Sequence, residues 1–208
     1  MPKINKDNVS PKGAILKQKI KRKNKGTGAG GAKTNLNGGS LEKRTRGIFT
    51  EHMEVIETFS YNGNRKYKLQ MVQIVEKKLV RAPETAFKQW DIHQKFSKDS
   101  VDYKNKSLHG AKCPDDAFVD SNNKIIYWIE CKVQEVAGSK CEVLQTYNQK
   151  IRNLKKRYPE YEIKYIYILD KNFRKYCPLE IEYMIDDGIT VVWNDDENFE
   201  QKLLNIIR

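Results

Sequence analysis

The alternation of apolar and polar positions is clearest in the last half of the chain. "DAFVDSNNKIIYWIECKVQ", residues 116–134, reads as a β-hairpin turning at Ser121, Asn122 and Asn123. Behind it, Leu144, Tyr147, Ile151, Leu154 and Tyr158 recur at three- and four-residue steps. That spacing predicts one amphipathic helix, capped by Ser139 and Glu142 and ended by Pro159. "EIKYIYILD" (162–170) is apolar enough for a central strand. A helical stretch follows near 178–186, and "ITVVW" (189–193) is another buried strand. "NFEQKLLNIIR" (198–208) reads as a helix with acids early and Arg208 last, as the macrodipole favours. Upstream, residues 53–81 alternate well enough for two or three strands, with a turn at Asn62-Gly63-Asn64. Pro83 opens a predicted helix over 83–96, residues 97–112 form a polar loop, and "SLEKRTRGIF" from Ser40 is helical in character. The order predicts an α/β fold over 32–208, a mixed central sheet flanked by helices.

Residues 1–31 read differently. They hold nine Lys/Arg against one acid, a density that resists packing and predicts a basic N-terminal arm, disordered without a polyanion. The stretch "GTGAGGAKTNLNGGS" (26–40) holds six of the 12 glycines and contains GxGxxG through Gly26, Gly28 and Gly31. Phosphate-binding loops of that kind follow a buried strand, whereas "KRKNK" precedes this one, and Ala32 stands where a P-loop needs Lys.

Charge sharpens the picture. The net charge is +12, yet residues 160–208 hold six Lys/Arg against 11 acids, so the basic excess sits in the first three-quarters of the chain. That polarity suits a nucleic-acid partner, whose phosphates release counterions on contact. No stretch approaches the roughly 18 consecutive apolar residues of a membrane span. The first residues lack the apolar run of a secretory signal, and Cys113, Cys131, Cys141 and Cys177 form no CxxC pair. Reduced thiols and a cytoplasmic location are therefore expected. His52, His93 and His109 form no metal-binding pair, and no GxSxG marks a serine hydrolase.

The candidate chemistry lies in the hairpin. On the strand 125–134, Ile126, Trp128, Glu130, Lys132 and Gln134 share one face, and Ile125, Tyr127, Ile129, Cys131 and Val133 the other. The second face is wholly apolar. The first turns polar at Glu130, as though the strand ran out of the core into a cleft. Across the turn, "PDD" supplies Asp115 and Asp116, with residue 115 roughly opposite 129 or 130. Paired carboxylates repel, and a Mg²⁺ ion held by both relieves the repulsion. Lys132 beside them could orient an attacking water or offset charge developing on a phosphate. A solvent-facing salt bridge is the ordinary alternative for such charges.

At these residues the chain resembles the PD-(D/E)XK nuclease superfamily and, more narrowly, type II restriction endonucleases. The matching strings are "CPDDAFVD", "IIYWIECKVQ", "VAGSKCEVLQT" and, near the N-terminus, "TNLNGGSLEKRT". The resemblance implies a restriction-endonuclease-like core. It implies Asp115 and Glu130 as metal-binding acids, Lys132 as catalytic base or water-positioner, and Glu42 as a further acid on an adjacent helix. Asp116 is the alternative to Asp115, and Gln134 and Gln145 match polar positions near the site. It further implies Mg²⁺ as cofactor, double-stranded DNA as substrate and a DNA methyltransferase as functional partner. A homodimer is one arrangement it allows. Residues 53–109 match nothing in the family, and target recognition is expected there. Lys21, Arg22, Lys23, Arg65, Lys66, Lys68 and Arg81 are the expected DNA contacts. A structure-specific repair or junction nuclease, and a non-catalytic basic DNA-binding protein, remain open alternatives.

Overall fold

The computed structural model describes residues 31–62, 66–74, 76–81, 114–135 and 140–208. The expectations for the arm 1–30, the turn 63–65, the helix at 83–96, the loop 97–112 and Ser139 lie outside these residues. Within them the chain builds one seven-stranded sheet whose strands neighbour one another in sequence order. The strands are β1 (Glu54–Asn62), β2 (Lys66–Ile74), β3 (Lys77–Arg81), β4 (Asp116–Asp120), β5 (Ile125–Lys132), β6 (Glu162–Leu169) and β7 (Thr190–Trp193). Neighbours from β1 to β5 run antiparallel, while β5, β6 and β7 run parallel. The sheet is thus mixed, as the order of elements predicts. β1, β2 and β3 belong to it, joined through β3 to β4.

Helices cover both faces. On one lie α1 (Gly31–Glu51) and α6 (Phe199–Ile207); on the other lie α2 (Lys140–Leu144), α3 (Tyr147–Arg157), α4 (Asn172–Tyr176) and α5 (Pro178–Asp186). The two faces of β5 separate as its alternation demands. Ile126 and Trp128 join the core that contains Leu144, Leu154 and Ile181. Tyr127, Ile129, Cys131 and Val133 join the core that contains Leu41, Phe49, Phe199 and Leu204. Among the described residues, no helix is long and apolar enough to cross a membrane.

The β4–β5 turn closes because Asp120 accepts from the backbone N–H of Asn123 at 3.0 Å and from its side-chain amide at 2.9 Å. Lys124 completes the reversal at φ 57°, a left-handed conformation that a non-glycine residue adopts at some cost.

Three sequence expectations need correction. The single helix after residue 139 is two, α2 and α3. Thr146 Oγ1 donates to the Val143 carbonyl at 2.7 Å, taking an acceptor that a continuous helix would use. The helix expected from Ser40 begins at Gly31 and runs through Gly38 and Gly39. A Cβ at either glycine would meet nothing within 4 Å, so packing does not require them. The helix is held further on, by Leu41, Thr45, Ile48 and Phe49, all buried on one stripe. The third concerns redox state. Cys141 and Cys177, 36 residues apart, are joined as a disulfide with Cα atoms 5.5 Å apart. Packing of α2 beside α5 creates that proximity, which no local spacing announces.

Candidate active site

Hairpin register decides which acid joins Glu130. Asp116 pairs with Ile129, and the backbone N–H of Asp115 donates to the Ile129 carbonyl at 3.0 Å. Asp115 therefore continues the ladder opposite Glu130, on the same face of the sheet. Its Oδ2 accepts from the backbone N–H of Cys131 at 2.7 Å, which fixes the carboxylate at the end of β5. Arg46 on α1 grips the same segment, donating to the Asp115 carbonyl at 2.6 Å.

Asp116 points to the opposite face. Arg81 holds it in a two-pronged pair, Nε to Oδ1 at 3.2 Å and a terminal nitrogen to Oδ2 at 2.6 Å, and also reaches Thr50 Oγ1 at 3.0 Å. Both partners are buried. Arg81 is thus committed to a structural ion pair, and Asp115 is the acid that joins Glu130.

Glu130 is the centre of the cluster and is only 2% exposed. Its Oε2 lies 2.9 Å from Lys132 Nζ and 3.0 Å from Lys150 Nζ, and its Oε1 accepts from the Tyr165 hydroxyl. Lys150 also donates to the Tyr167 hydroxyl at 3.0 Å. Burial opposes ionisation of Glu130, but the charges of Lys132 and Lys150, with the hydrogen bonds from Tyr165 and Lys132, outweigh it. The carboxyl is held down to about 2. Burial likewise opposes charge on Lys132, and the facing carboxylates of Glu130 and Asp115 overcome it, raising its pKa. Lys132 is therefore an ammonium in this arrangement. Burial and the charge of Glu130 push both Tyr165 and Tyr167 upward, so both remain hydrogen-bond donors.

Three oxygens surround the Lys132 amine: Glu130 Oε2 at 2.9 Å, the Cys131 carbonyl at 3.1 Å and Asp115 Oδ2 at 3.8 Å. All three are hard donors of the kind Mg²⁺ prefers, and the amine occupies the position between them as a cation would. That donor set fits a divalent ion completed by waters or phosphate. Among the described residues, no group of three or more His, Cys, Asp or Glu side chains is arranged to hold a metal.

Other expected residues fall at varied distances from this centre. Glu42 is half-buried on α1, near enough to β5 that its charge adds to the burial and the Asp115 charge keeping the Cys131 thiol protonated. Gln134 is buried beyond Lys132, and its Oε1 has no hydrogen-bond partner among the described residues. Gln145 is directed away from the acids, donating to Glu180 on α5 at 3.1 Å. Lys66 and Lys68 stand on β2, while Lys21, Arg22, Lys23 and Arg65 lie outside the described residues.

The sequence reading missed Lys150, Tyr165 and Tyr167. One signal was available: Lys150 lies three residues after Tyr147 and four before Leu154, within the buried stripe of α3. It also missed Asp170 and Lys140 at the same end of the sheet. Asp170 donates its N–H to the Lys132 carbonyl at 3.2 Å, and Lys140 Nζ donates to the Val133 carbonyl. Burial, with repulsion from Lys132, lowers the Lys140 pKa. No family model, curated protein or solved structure matches this chain.

Proposed function

We propose that this protein is a Mg²⁺-dependent endonuclease of the PD-(D/E)XK type, cutting double-stranded DNA at a short specific sequence as a type II restriction enzyme does. One observation carries the reading: Asp115, Glu130 and Lys132 converge on one point at the end of β5, with Lys132 Nζ 2.9 Å from Glu130 and 3.8 Å from Asp115. The antiparallel hairpin feeding two parallel strands, with helices on both faces, supports a restriction-endonuclease-like core. The net charge of +12 suits a polyanionic substrate.

In this reading Asp115, Glu130 and the Cys131 carbonyl hold the ion, which when bound supplies an acidified water and a brace for the scissile phosphate. Lys132, once free of the acids, donates toward the charge that develops on the phosphate. Lys150 and Tyr165 keep Glu130 ionised and fixed in direction. In a host it works beside a methyltransferase that protects self DNA.

The dense donor shell of Glu130 favours a second reading, in which the cluster is a buried structural ion network within a non-catalytic DNA-binding protein. Plasmid digestion separates the two. With Mg²⁺ the wild type should give discrete fragments with mappable ends, chelator should abolish them, and Glu130→Gln and Lys132→Met should each lose at least about 100-fold in rate. Absence of Mg²⁺-dependent cutting, or cutting that Lys132→Met leaves intact, would overturn the nuclease reading.

A further inference from the structure

We propose that the Lys132 amine is the resting occupant of the cation position, and that Lys150 is the counter-ion that stays with Glu130 when a metal displaces Lys132. The inference rests on the metal-dependent reading above and adds to it a gate made from the chain itself.

The geometry distinguishes the two lysines. Lys132 Nζ is the group common to all three candidate ligands, Glu130 Oε2, the Cys131 carbonyl and Asp115 Oδ2. A divalent ion coordinated by those oxygens would occupy nearly the same space, and two cations so close would repel strongly. Metal binding therefore requires the amine to leave. Lys132 is the last residue of β5, and a lysine's four-carbon stem is flexible enough to re-aim its amine while the strand stays put.

Lys150 is held otherwise. It comes from α3, bridges Glu130 Oε2 and the Tyr167 hydroxyl at 3.0 Å each, and lies over the rings of Tyr165 and Tyr167 at 5.9 and 5.4 Å. It can remain with Glu130 while Lys132 moves. Glu130 then keeps an opposite charge and the Tyr165 hydroxyl throughout, so displacement never strands a buried carboxylate. The freed Lys132 amine becomes available to phosphate only once the metal has arrived, which couples the two events.

Calorimetric titration of the full chain with Mg²⁺ and with Ca²⁺, without DNA, tests this. If the cradle is open about one time in ten, its apparent affinity is about tenfold below the intrinsic one. Lys132→Met should then bind either ion about tenfold tighter than wild type while losing DNA cleavage. Lys150→Met removes a positive charge at a similar distance from Glu130 Oε2 without emptying the cation position, so it measures the electrostatic gain alone, which should be smaller than that of Lys132→Met. Lys132→Ala serves as a second variant; in both, Glu130 retains Lys150 and Tyr165, and circular dichroism verifies folding. Equal gains in Lys132→Met and Lys150→Met, or no gain in either Lys132 variant while wild type cuts DNA with Mg²⁺, would overturn the gate and leave the nuclease reading standing. No binding in any variant together with no cleavage by wild type would overturn both.

Discussion

Lys150 Nζ lies 3.0 Å from Glu130 Oε2, so a helix residue 20 positions downstream neutralises an acid buried in the middle of the sheet. Removing one partner of a buried pair leaves the other charge uncompensated, which costs far more than the pair itself is worth. Here Glu130 would retain Lys132 and Tyr165, so the cost is reduced. Lys150→Met should lower unfolding stability by about 1–3 kcal/mol, read from urea denaturation at neutral pH. Unchanged midpoints would show that Lys150 is a spectator.

The acid limb of the stability profile should carry the signature of Glu130. Its folded pKa is depressed from 4.5 to about 2, so its contribution is fully present above the unfolded value and lost as pH falls through the folded one. The window is therefore between about pH 4.5 and pH 2, and the sign is destabilisation on acidification. The magnitude is about 3 kcal/mol, shared with Lys132 and Lys150 because the same attraction also raises the Lys132 pKa. Urea midpoints measured across this range should fall steeply for wild type and less steeply for Glu130→Gln. Parallel curves would mean that Glu130 gains no net stabilisation from its neighbours.

On the other face, Arg81 and Asp116 make a buried ion pair at 2.6 Å. Arg81→Met should cost about 3–5 kcal/mol, because the desolvated Asp116 carboxylate loses Arg81's charge and keeps the Ala117 N–H at 3.0 Å. The double change Arg81→Met with Asp116→Asn should recover part of that loss, a coupling that a thermodynamic cycle measures. Because neither residue joins the Asp115–Glu130–Lys132 cluster, the folded double variant should keep the wild type's affinity for duplex DNA in a fluorescence binding assay. A large loss of affinity in the folded protein would restore Arg81 as a DNA contact.

These relations explain how much of the site was legible in the sequence. The period-two pattern of residues 125–134 was enough to separate both faces of β5 and to put Glu130 and Lys132 together, because a strand's alternation is local. Choosing between Asp115 and Asp116 was not local. A one-residue change of register sends a side chain to the other face, and only the pairing of Asp116 with Ile129 settles it. Tyr165 and Tyr167 reach Glu130 through the parallel register of β6 on β5, and Lys150 through the rotation of α3 about its axis. Neither is written in short-range spacing. The break at Thr146 was hidden because the apolar stripe continues across it, with Leu144, Tyr147 and Leu154 all buried.

The Cys141–Cys177 bridge makes the last test. It closes a loop of 36 residues that carries α3 and β6, including Lys150 and Tyr165. By the chain-entropy account a loop of that length stabilises by about 4 kcal/mol when closed. Alkylation under native, non-reducing conditions followed by mass spectrometry should leave Cys141 and Cys177 unmodified until a reductant is added. Cys141→Ser should then lower the urea midpoint of the oxidised protein and have a much smaller effect on protein kept reduced. Because Lys150 and Tyr165 lie inside the closed loop, loss of the bridge should also weaken their hold on Glu130. The oxidised wild type should therefore show a larger difference in stability between pH 7 and pH 3 than Cys141→Ser does. Ready alkylation of both cysteines in the folded, unreduced protein would show that the bridge does not form and would return the chain to reduced thiols.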